Sequence, residues 1–466
     1  MRPNKSMQNS PTRSWIDRTE LRRLMALMLP LYIGNILHMG MGVTDTVVAG
    51  WKGEVDLASV AMGFSISGTI MIAGGVVLTI LSAMISRLRG AGADGKAGLY
   101  LNNGKVLAIC LTVVEVVLMF AASYVFNYVT DNAELAAKAQ RYVWFMLLGV
   151  PGNMLMRVVV ANFEGYGQTR PAMFVSLCGV LINIPLNMIF VFGWGPVPSL
   201  GGSGCGLATA IVNWCMFFCM LAIMLGSRQH RGRARQMLAL RCPDWSLIRQ
   251  TVRLGLPVGV ASLCEMSFFN LVTLIIAPLG EVVVSAQQVA INLSGIIFML
   301  PLSLGIAASI RAAYHVGARR RVDFNAMVRT LLVVTYTLVS IFMVLTILFR
   351  RDIVGLYTNS EEIISLASVL LVFCAVYQIP DATQVLMSGL LRGCHDTAII
   401  TWSNISSYWI VGLPLSYLLI RTDVIVPAMG AAGAWVSFIV ALTISAVILT
   451  LRFIRTRRRV FEQGSC

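Results

Sequence analysis

Long apolar runs, separated by short polar segments, dominate the chain. About 20 apolar residues in a helix cross the hydrocarbon core of a bilayer, and twelve runs reach that length. The one long polar connection lies at 227–253. The pattern therefore predicts twelve membrane spans, at roughly 24–49, 57–86, 106–126, 135–160, 172–194, 204–226, 254–277, 285–310, 330–349, 362–390, 398–420 and 430–451.

The second half of the chain repeats landmarks of the first. The pair Gly90-Ala91 recurs as Gly317-Ala318 at an offset of 227 residues, and Pro185 recurs as Pro414 at an offset of 229. Glycine, proline and charged residues match at this nearly constant offset, and two single-residue insertions explain the drift. The sequence therefore predicts an internal duplication of a six-helix unit.

Because each half has an even number of spans, both halves enter and leave the membrane on the same side. The predicted repeats are parallel, related by an axis along the membrane normal, and a cavity between two such bundles is where transporters of this build place their sites. The predicted parts of the chain are a cytoplasmic N-terminal segment (1–23), an N-lobe (24–226), a cytoplasmic linker (227–253), a C-lobe (254–451) and a basic tail (452–466).

Composition supports lipid as the solvent of the exterior. Of 466 residues, 57% are hydrophobic and 12% are charged, and that charged share is about half the share in a soluble protein. A soluble chain of this length divides into two or three domains with polar surfaces, which this chain lacks the charge to cover. We therefore predict an all-α membrane protein.

Basic residues are distributed unequally between the two sides of the membrane. With both termini in the cytoplasm, 30 of the 36 Lys and Arg residues lie on the cytoplasmic side and 6 on the other. Cytoplasmic loops carry such an excess, so we expect a protein of the bacterial inner membrane with both termini on the cytoplasmic side. The net charge of +15 then orients the chain and attracts anionic lipid headgroups, and we expect no nucleic acid as a partner.

Motifs for nucleotide or enzyme chemistry are missing from the sequence. It contains no Walker A motif, no HExxH or GxSxG motif and no dinucleotide fingerprint. We therefore expect neither an enzyme nor a cofactor. Energy for any pumping has to come from a gradient of Na⁺ or H⁺.

Four acidic residues lie well inside the predicted spans: Asp45, Glu115, Glu265 and Asp381. Ionisable residues at such positions are costly and usually functional. No lysine lies well inside a span, and no arginine is expected near the middle of one, so the sequence offers these acids no fixed counter-ion. A buried carboxylate without a partner holds a proton unless a bound cation replaces it, which is the physical basis of Na⁺ or H⁺ coupling.

Glu265 and Asp381 are predicted to lie at one depth. Glu265 follows Arg253 by twelve residues and Asp381 precedes Arg392 by eleven, so at 1.5 Å per residue they lie about 18 and about 16 Å from the cytoplasmic side. They can share one ion or one proton, as a coupled pair. Polar residues at three- and four-residue steps accompany Asp381 on one helix face: Tyr377, Gln378 and Gln384.

Amide side chains in two other spans have two interpretations. Gln288 and Asn292 share one face of the eighth span, and they either line a cavity or bond neighbouring helices. Asn183 and Asn187 flank Pro185 in the fifth span. These two amides either satisfy the carbonyl that the proline frees or serve a site.

The remaining candidates are individual residues with weaker signals. Asp45 lies seven residues after His38 on the same side of the first span, nearer the outer surface, where a wetted vestibule is expected. His38 is either a packed histidine or a proton relay to Asp45. Glu115 stands among valines and its role stays open. Phe268 and Phe269 either line a pocket for flat apolar cations or pack in a core.

Eight motifs together resemble the multidrug and toxic compound extrusion (MATE) family, in its NorM-like branch, over residues 24–452. They are MGVTDTVVAG at 41–50, EGYGQTRP at 164–171, NIPLN at 183–187, GGSGCGLATA at 201–210, GLPVGVASLCE at 255–265, AQQVAIN at 286–292, PLSLGIAASIR at 301–311 and DATQVLMSGLLRG at 381–393. The departures are AQQ in place of the usual AHQ, and Cys394-His395 in place of Tyr-Lys.

The resemblance implies a MATE/MOP-type fold and an antiporter that exchanges Na⁺ or H⁺ for organic, often cationic, drugs and toxic compounds. Glu265 and Asp381 fall on the cation-site acids of the C-lobe, where bound Na⁺ is possible, and Asp45 falls on the N-lobe acid. Tyr377, Gln288 and Asn292 fall on supporting polar positions. Asn183 and Asn187 match the amides that face Asp45, and one chain is expected to suffice as a monomer.

Two other functions are weighed against this one. A flippase for lipid-linked precursors, from the same superfamily, needs basic residues in its cavity, whereas this sequence offers acids. A passive channel needs no paired acids in the middle of the membrane.

Overall fold

A computed structural model describes residues 17–239, 241–423 and 427–462, and these residues are almost entirely helical. Residues 1–16 and 463–466, in the predicted N-terminal segment and basic tail, lie outside the described residues. The twelve main helices, labelled in chain order, are α1 (Arg18–Lys52), α2 (Glu54–Gly90), α3 (Ala97–Ser123), α4 (Ala133–Gly165), α5 (Arg170–Phe192), α6 (Ser203–Gly226), α7 (Trp245–Ile276), α8 (Glu281–Gly317), α9 (Arg321–Leu348), α10 (Glu361–Gly393), α11 (Ala398–Asn404, Ile405–Gly412 and Leu413–Arg421) and α12 (Ala431–Glu462). Short helices at Phe126–Val129, Arg231–Leu238 and Arg350–Gly355 connect them.

Eleven of these helices are each long and apolar enough to cross a membrane. The remaining crossing is α11, in which the stretch Ile405–Gly412 is a π-helix between two α-helical segments. Pro414 lies two residues beyond that stretch and cannot donate a backbone hydrogen bond to the turn before it, so the turn widens. The prediction of twelve spans is confirmed, with an irregular eleventh.

The helices extend beyond the predicted apolar spans. The side chain of Asp17 accepts hydrogen bonds from the backbone of Thr19 and Glu20, so α1 begins at Arg18. Asp244 caps α7 in the same way, so α7 begins inside the predicted linker. A helix continues into water wherever its end is capped, whereas hydropathy marks only the part that lipid covers.

The two halves pack their helices in the same pattern. The main contacts of the first half join α2 to α4 and α4 to α6, and those of the second half join α8 to α10 and α10 to α12. Matching glycines permit this packing, since an added Cβ at Gly165 would lie 3.0 Å from the Ser82 carbonyl oxygen and one at Gly393 would lie 2.6 Å from that of Ser309. The duplication is therefore visible at the level of single contacts.

The lobes meet where the ends of α2 and α8 cross. An added Cβ at Gly90 would lie 2.1 Å from the Tyr314 carbonyl oxygen, and one at Gly317 would lie 2.1 Å from that of Arg87. The offset of 227 carries Gly90 onto Gly317 and Arg87 onto Tyr314, so the two contacts are symmetric between the halves. Only glycine lets two helix backbones approach so closely. The predicted axis that relates the halves therefore passes through this crossing.

Polar contacts between the lobes lie toward the end of the bundle that carries Asp17 and Glu462, here named the terminal face. Ser86 Oγ donates to the Ile310 carbonyl at 2.7 Å, and Arg87 Nη1 lies 2.9 Å from His395 Nδ1. The deepest such contact joins Asn35 and Ser303, near the middle of the bundle, at 3.1 Å. The lobes are thus closed at the terminal face, and a cleft opens between them toward the opposite face.

Candidate functional site

In the N-lobe, Asp45 accepts hydrogen bonds from three side chains. Asn187 Nδ2 donates to Oδ1 at 2.6 Å, Asn183 Nδ2 donates to the same oxygen at 3.2 Å, and Thr209 Oγ1 donates to Oδ2 at 2.9 Å. Asp45 is 4% exposed and both asparagines are fully buried. The expected wetted vestibule is therefore wrong, because this carboxyl lies inside the lobe among hydrogen-bond donors.

Three helices build this arrangement. Asn183 and Asn187 stand four residues apart, so they share the face of α5 that packs on α1, while Thr209 comes from α6. The amides thus serve Asp45 and are not spent on the carbonyl that Pro185 frees. Sequence reasoning missed Thr209, since a hydroxyl in an apolar span carries no charge signal.

In the C-lobe, Glu265 of α7 and Asp381 of α10 lie within electrostatic reach of each other. Asp381 is 3% exposed, and Glu265 is half-buried beside the amide of Gln384. Gln384 Nε2 lies 3.5 Å from Asn404 Oδ1, and Asn404 donates in turn to the Ala261 carbonyl at 3.1 Å. The structure therefore brings together the two acids that were predicted at one depth.

Several buried polar atoms around these acids have no hydrogen-bond partner among the described residues. They are Asp381 Oδ1, both polar side-chain atoms of Gln378, Gln384 Oε1 and the hydroxyl of Tyr408. Buried polar atoms are normally paired, so such a cluster fits a species that the chain itself does not supply. Carboxylate, amide and hydroxyl oxygens suit a hard cation such as Na⁺, and an acid pair suits a proton equally well.

The other predicted cation ligands are Tyr377, Gln288 and Asn292. Tyr377 is buried, with its ring edge-on to Trp435 at 5.5 Å between centroids. Gln288 and Asn292 lie toward the cleft and bond each other at 3.3 Å, and neither bonds Glu265 or Asp381 within the described part of the chain. The inward-facing amide of α8 is Gln287, which accepts from Trp435 Nε1 at 2.9 Å.

The substrate-cavity assignments need correction. His38 is exposed on the cleft, as a cavity residue should be, although it is not among the bonded partners of Asp45. Phe268 is 1% exposed and stacks on Tyr408 at 5.3 Å, so it packs in the core, and Phe269 is partly buried beside it. The other predicted cavity residues are buried inside their lobes in this conformation: Asn183, Asn187, Gln378 and Gln384.

One positive charge lies deeper than the sequence suggested. Arg157 was counted at the cytoplasmic edge, but its guanidinium lies against Gly75, where an added Cβ would be 2.4 Å from Nε. Gly75 stands fifteen residues inside the end of α2. The expectation that the acids lack any fixed cation is therefore wrong for Glu115, which lies within the field of Arg157.

A family model described as MatE matches two segments of the chain, residues 30–189 and 257–418. The segments begin 227 and end 229 residues apart, which are the offsets of the internal repeat. The chain belongs to the MatE family. The prediction of the family is therefore confirmed, and the matched segments carry one acid site each.

Relatives and solved structures support this membership. The chain is 38% identical to "Multidrug resistance protein MdtK" of Yersinia pestis (strain Pestoides F) over 439 residues, which cover 93% of this chain and 95% of that protein. It is 36% identical over 438 residues to the protein of the same name from Yersinia enterocolitica, with the same coverage. Because the alignments cover nearly the full length of both proteins, the similarity includes both lobes.

The fold matches solved transporters. The eukaryotic MATE transporter AtDTX14 superposes with a TM-score of 0.85 at 21% identity, over 96% of this chain and 99% of that one. A structure titled as the outward-facing conformation of a multidrug resistance MATE family transporter of the MOP superfamily gives 0.82 at 19% identity, over 96% and 97%. At these identities the matches show the fold alone, which confirms the predicted MATE/MOP-type class.

Proposed function

We propose that this protein is a multidrug efflux antiporter of a bacterial inner membrane, which exchanges Na⁺ or H⁺ for organic, often cationic, compounds. The observation that carries the proposal is a buried acid site in each lobe of a bundle that is closed at one face only. The names of the relatives agree with it. A single chain contains both sites and the cleft, so we expect a monomer to transport.

The excess of basic residues orients the protein in this proposal. The sequence assigns 30 of 36 Lys and Arg to the side of the termini, and 29 without the deeper Arg157, so the terminal face is cytoplasmic and the described conformation is open to the outside. Basic residues there contact anionic headgroups of the lipid bilayer. The proposal includes no role for nucleic acid and no cofactor beyond the coupling ion.

The mechanism is alternating access of the two lobes. In the outward-open state, Glu265 and Asp381 take up Na⁺ or H⁺, and this neutralises them. A cationic drug then leaves, because its affinity depends on the negative charge, and the lobes close outside and open inside. Coupling requires only that the ion and the drug stabilise different states.

The C-lobe pair accommodates either coupling ion. As a proton site, the two carboxyls share one proton because two negative charges at close range in a poor dielectric repel each other. As a sodium site, the unpaired oxygens of Asp381, Gln378, Gln384 and Tyr408 are candidate ligands. Tyr377, Gln288 and Asn292 remain candidates only if the helices rearrange on binding.

The acids at the two buried sites separate this function from its alternatives. A neighbour from Pyrococcus furiosus, with a TM-score of 0.83 at 18% identity, is titled "Reverse polarity of binding pocket suggests different function of a MOP superfamily transporter". A flippase for pyrophosphate-linked lipids needs a positive pocket, whereas both lobes here present acids. A passive channel does not need paired acids buried in the middle of the membrane.

Replacing the C-lobe acids tests the proposal. Asp381→Asn and Glu265→Gln are expected to abolish ethidium resistance and efflux in cells, because a neutral amide cannot exchange its charge for that of an ion. Membrane insertion is checked by quantitative blotting. Asp352→Asn, at an exposed site on the connecting helix, is the matched control and should transport normally. Normal resistance in both site variants at equal expression contradicts the site assignment.

A further inference from the structure

A charged niche in the N-lobe belongs to neither acid site. It contains Glu115 of α3 and Arg157 of α4, which lie on the consecutive glycines Gly74 and Gly75 of α2. We call these four residues the α3 niche. An added Cβ at Gly74 would lie 1.7 Å from Glu115 Oε1 and one at Gly75 would lie 2.4 Å from Arg157 Nε. The glycine pair is therefore what makes room for both charged side chains.

Glu115 points into the lobe from a helix whose other face is apolar and open. Val113 and Val117 are each 59% exposed, as residues that face lipid should be, while Glu115 is 3% exposed. Neither carboxyl oxygen has a hydrogen-bond partner among the described residues. An ionised carboxylate in such surroundings costs several kcal/mol or more, so the carboxyl holds a proton in this arrangement.

Arg157 reaches the same niche from the opposite direction. Helical side chains lean toward the helix N-terminus, and α3 and α4 run in opposite directions, so the two side chains converge near the middle of the lobe. Arg157 Nε donates to Asn153 Oδ1 at 3.3 Å, and no ion pair with Glu115 forms within 4 Å in the described chain. Its field also reaches His38 on the cleft.

We propose that Glu115 is an additional proton-binding site of the transport cycle. Its carboxyl carries a proton in the outward-open arrangement, and it releases that proton to the water of the cleft when it turns to Arg157 and pairs with the guanidinium as a carboxylate. This inference rests on the proposed function, because only a transport cycle gives the lobe a second arrangement in which the pair forms.

The niche suits a proton better than a metal cation. No side-chain amide or hydroxyl of the described residues bonds either Glu115 oxygen, so the neutral oxygen ligands that Na⁺ requires are missing. Arg157 is the one described charged group whose field acts on Glu115 from the helices packed around it. A fixed positive charge at that position repels a second cation but stabilises the carboxylate after the proton has left.

Infrared spectroscopy of the purified full-length protein in liposomes tests this directly. The carbonyl stretch of a protonated carboxyl is recorded for the wild type and for Glu115→Gln while pH is raised and then while ethidium is added. The wild type should show a band that Glu115→Gln lacks, and this band should weaken in both titrations. Proton release on ethidium binding should fall by about one proton per protein in the variant.

If Glu115 keeps its proton throughout the cycle, the infrared band will not respond to pH or ethidium. A band that is lost in Glu115→Gln but stays constant across pH and ethidium, with unchanged proton release, overturns the proposal. Glu281→Gln, at an exposed site at the start of α8, is the matched control and should behave as the wild type in both measurements.

A glycine substitution keeps the proposal testable if Glu115→Gln does not fold. In Gly74→Ala the added methyl group occupies the position of Oε1 and moves the carboxyl toward Arg157, so the band should weaken at a pH where the wild type shows it fully. An unchanged band contradicts the niche. Gly95→Ala, where an added Cβ meets nothing within 4 Å, is the control.

Ethidium efflux by the same wild-type liposomes separates the two ideas. If no gradient drives efflux, the proposed function fails whatever the infrared band does. If efflux occurs and the Glu115 band stays constant, only the additional proton site fails.

Discussion

At the scale of single residues, the two lobes surround their acids in opposite ways. Asp45 receives three hydrogen bonds from neutral donors, which stabilise a carboxylate. Asp381 has an oxygen to which no described residue donates, and it has a second acid nearby. The N-lobe site thus offers donors that offset part of the cost of a buried negative charge, whereas the C-lobe pair leaves an oxygen free to exchange its charge for a proton or a cation.

Thr209→Val tests the N-lobe arrangement with a change of nearly equal volume. It removes the 2.9 Å hydrogen bond to Asp45, and a bond to a charged group contributes about 1.5–3 kcal/mol. Ethidium efflux should therefore fall about tenfold or more in vesicles that contain equal amounts of protein. The control is Thr443→Val on α12, whose hydroxyl, among the described residues, bonds its own helix at the Ile439 carbonyl. Equal efflux by both variants contradicts a working role for the Asp45 network.

At the scale of helices, closure of the terminal face depends on a few contacts between the lobes. Arg311 Nη2 of α8 lies 2.6 and 2.8 Å from the two carboxylate oxygens of Glu20 on α1, and both side chains are nearly buried. His395 occupies the repeat position of Gly167 and shares its positive φ, at 62° against 73°. Burial and the charge of Arg87 lower the pKa of His395 to about 3, so the neutral ring accepts from Arg87.

Glu20→Gln is expected to weaken this closure. Removing one partner of a buried ion pair costs about 3–5 kcal/mol, and the cost falls only on the arrangement in which the pair forms. Spin labels on Gln229 and Arg321, both exposed at the terminal face of different lobes, should then report a population with a longer distance. The labels are placed in a background without the native cysteines.

The matched control for this variant is Glu361→Gln. Glu361 pairs with Arg351 in a bridge on the opposite face, where both side chains are at least 65% exposed, and such pairs contribute about 0–1 kcal/mol. The control should leave the distance distribution unchanged. If Glu20→Gln also leaves it unchanged, the ion pair has no part in holding the terminal face closed.

At the scale of the whole molecule, the parts that the sequence predicted are those that lipid and symmetry control. Hydropathy located the spans because a helix that crosses the hydrocarbon core needs a long apolar run. The glycine and proline matches located the repeat. Rotation of a side chain about its helix was less predictable. Phe268 faces the core and Gln288 faces the cleft, because packing of neighbouring helices decides which side is buried. The depth of Arg157 was missed because its long side chain leans about a turn away from its backbone position.

The most direct measurement of the central claim is ethidium efflux in everted membrane vesicles, with a Na⁺ gradient and a pH gradient imposed separately. Ion-coupled antiport predicts that at least one gradient alone drives ethidium uptake into the vesicles, that collapsing it with an ionophore stops the uptake, and that Asp381→Asn is inactive under both. Uptake that proceeds equally without any gradient, or that persists in Asp381→Asn, would contradict antiport through the acid sites.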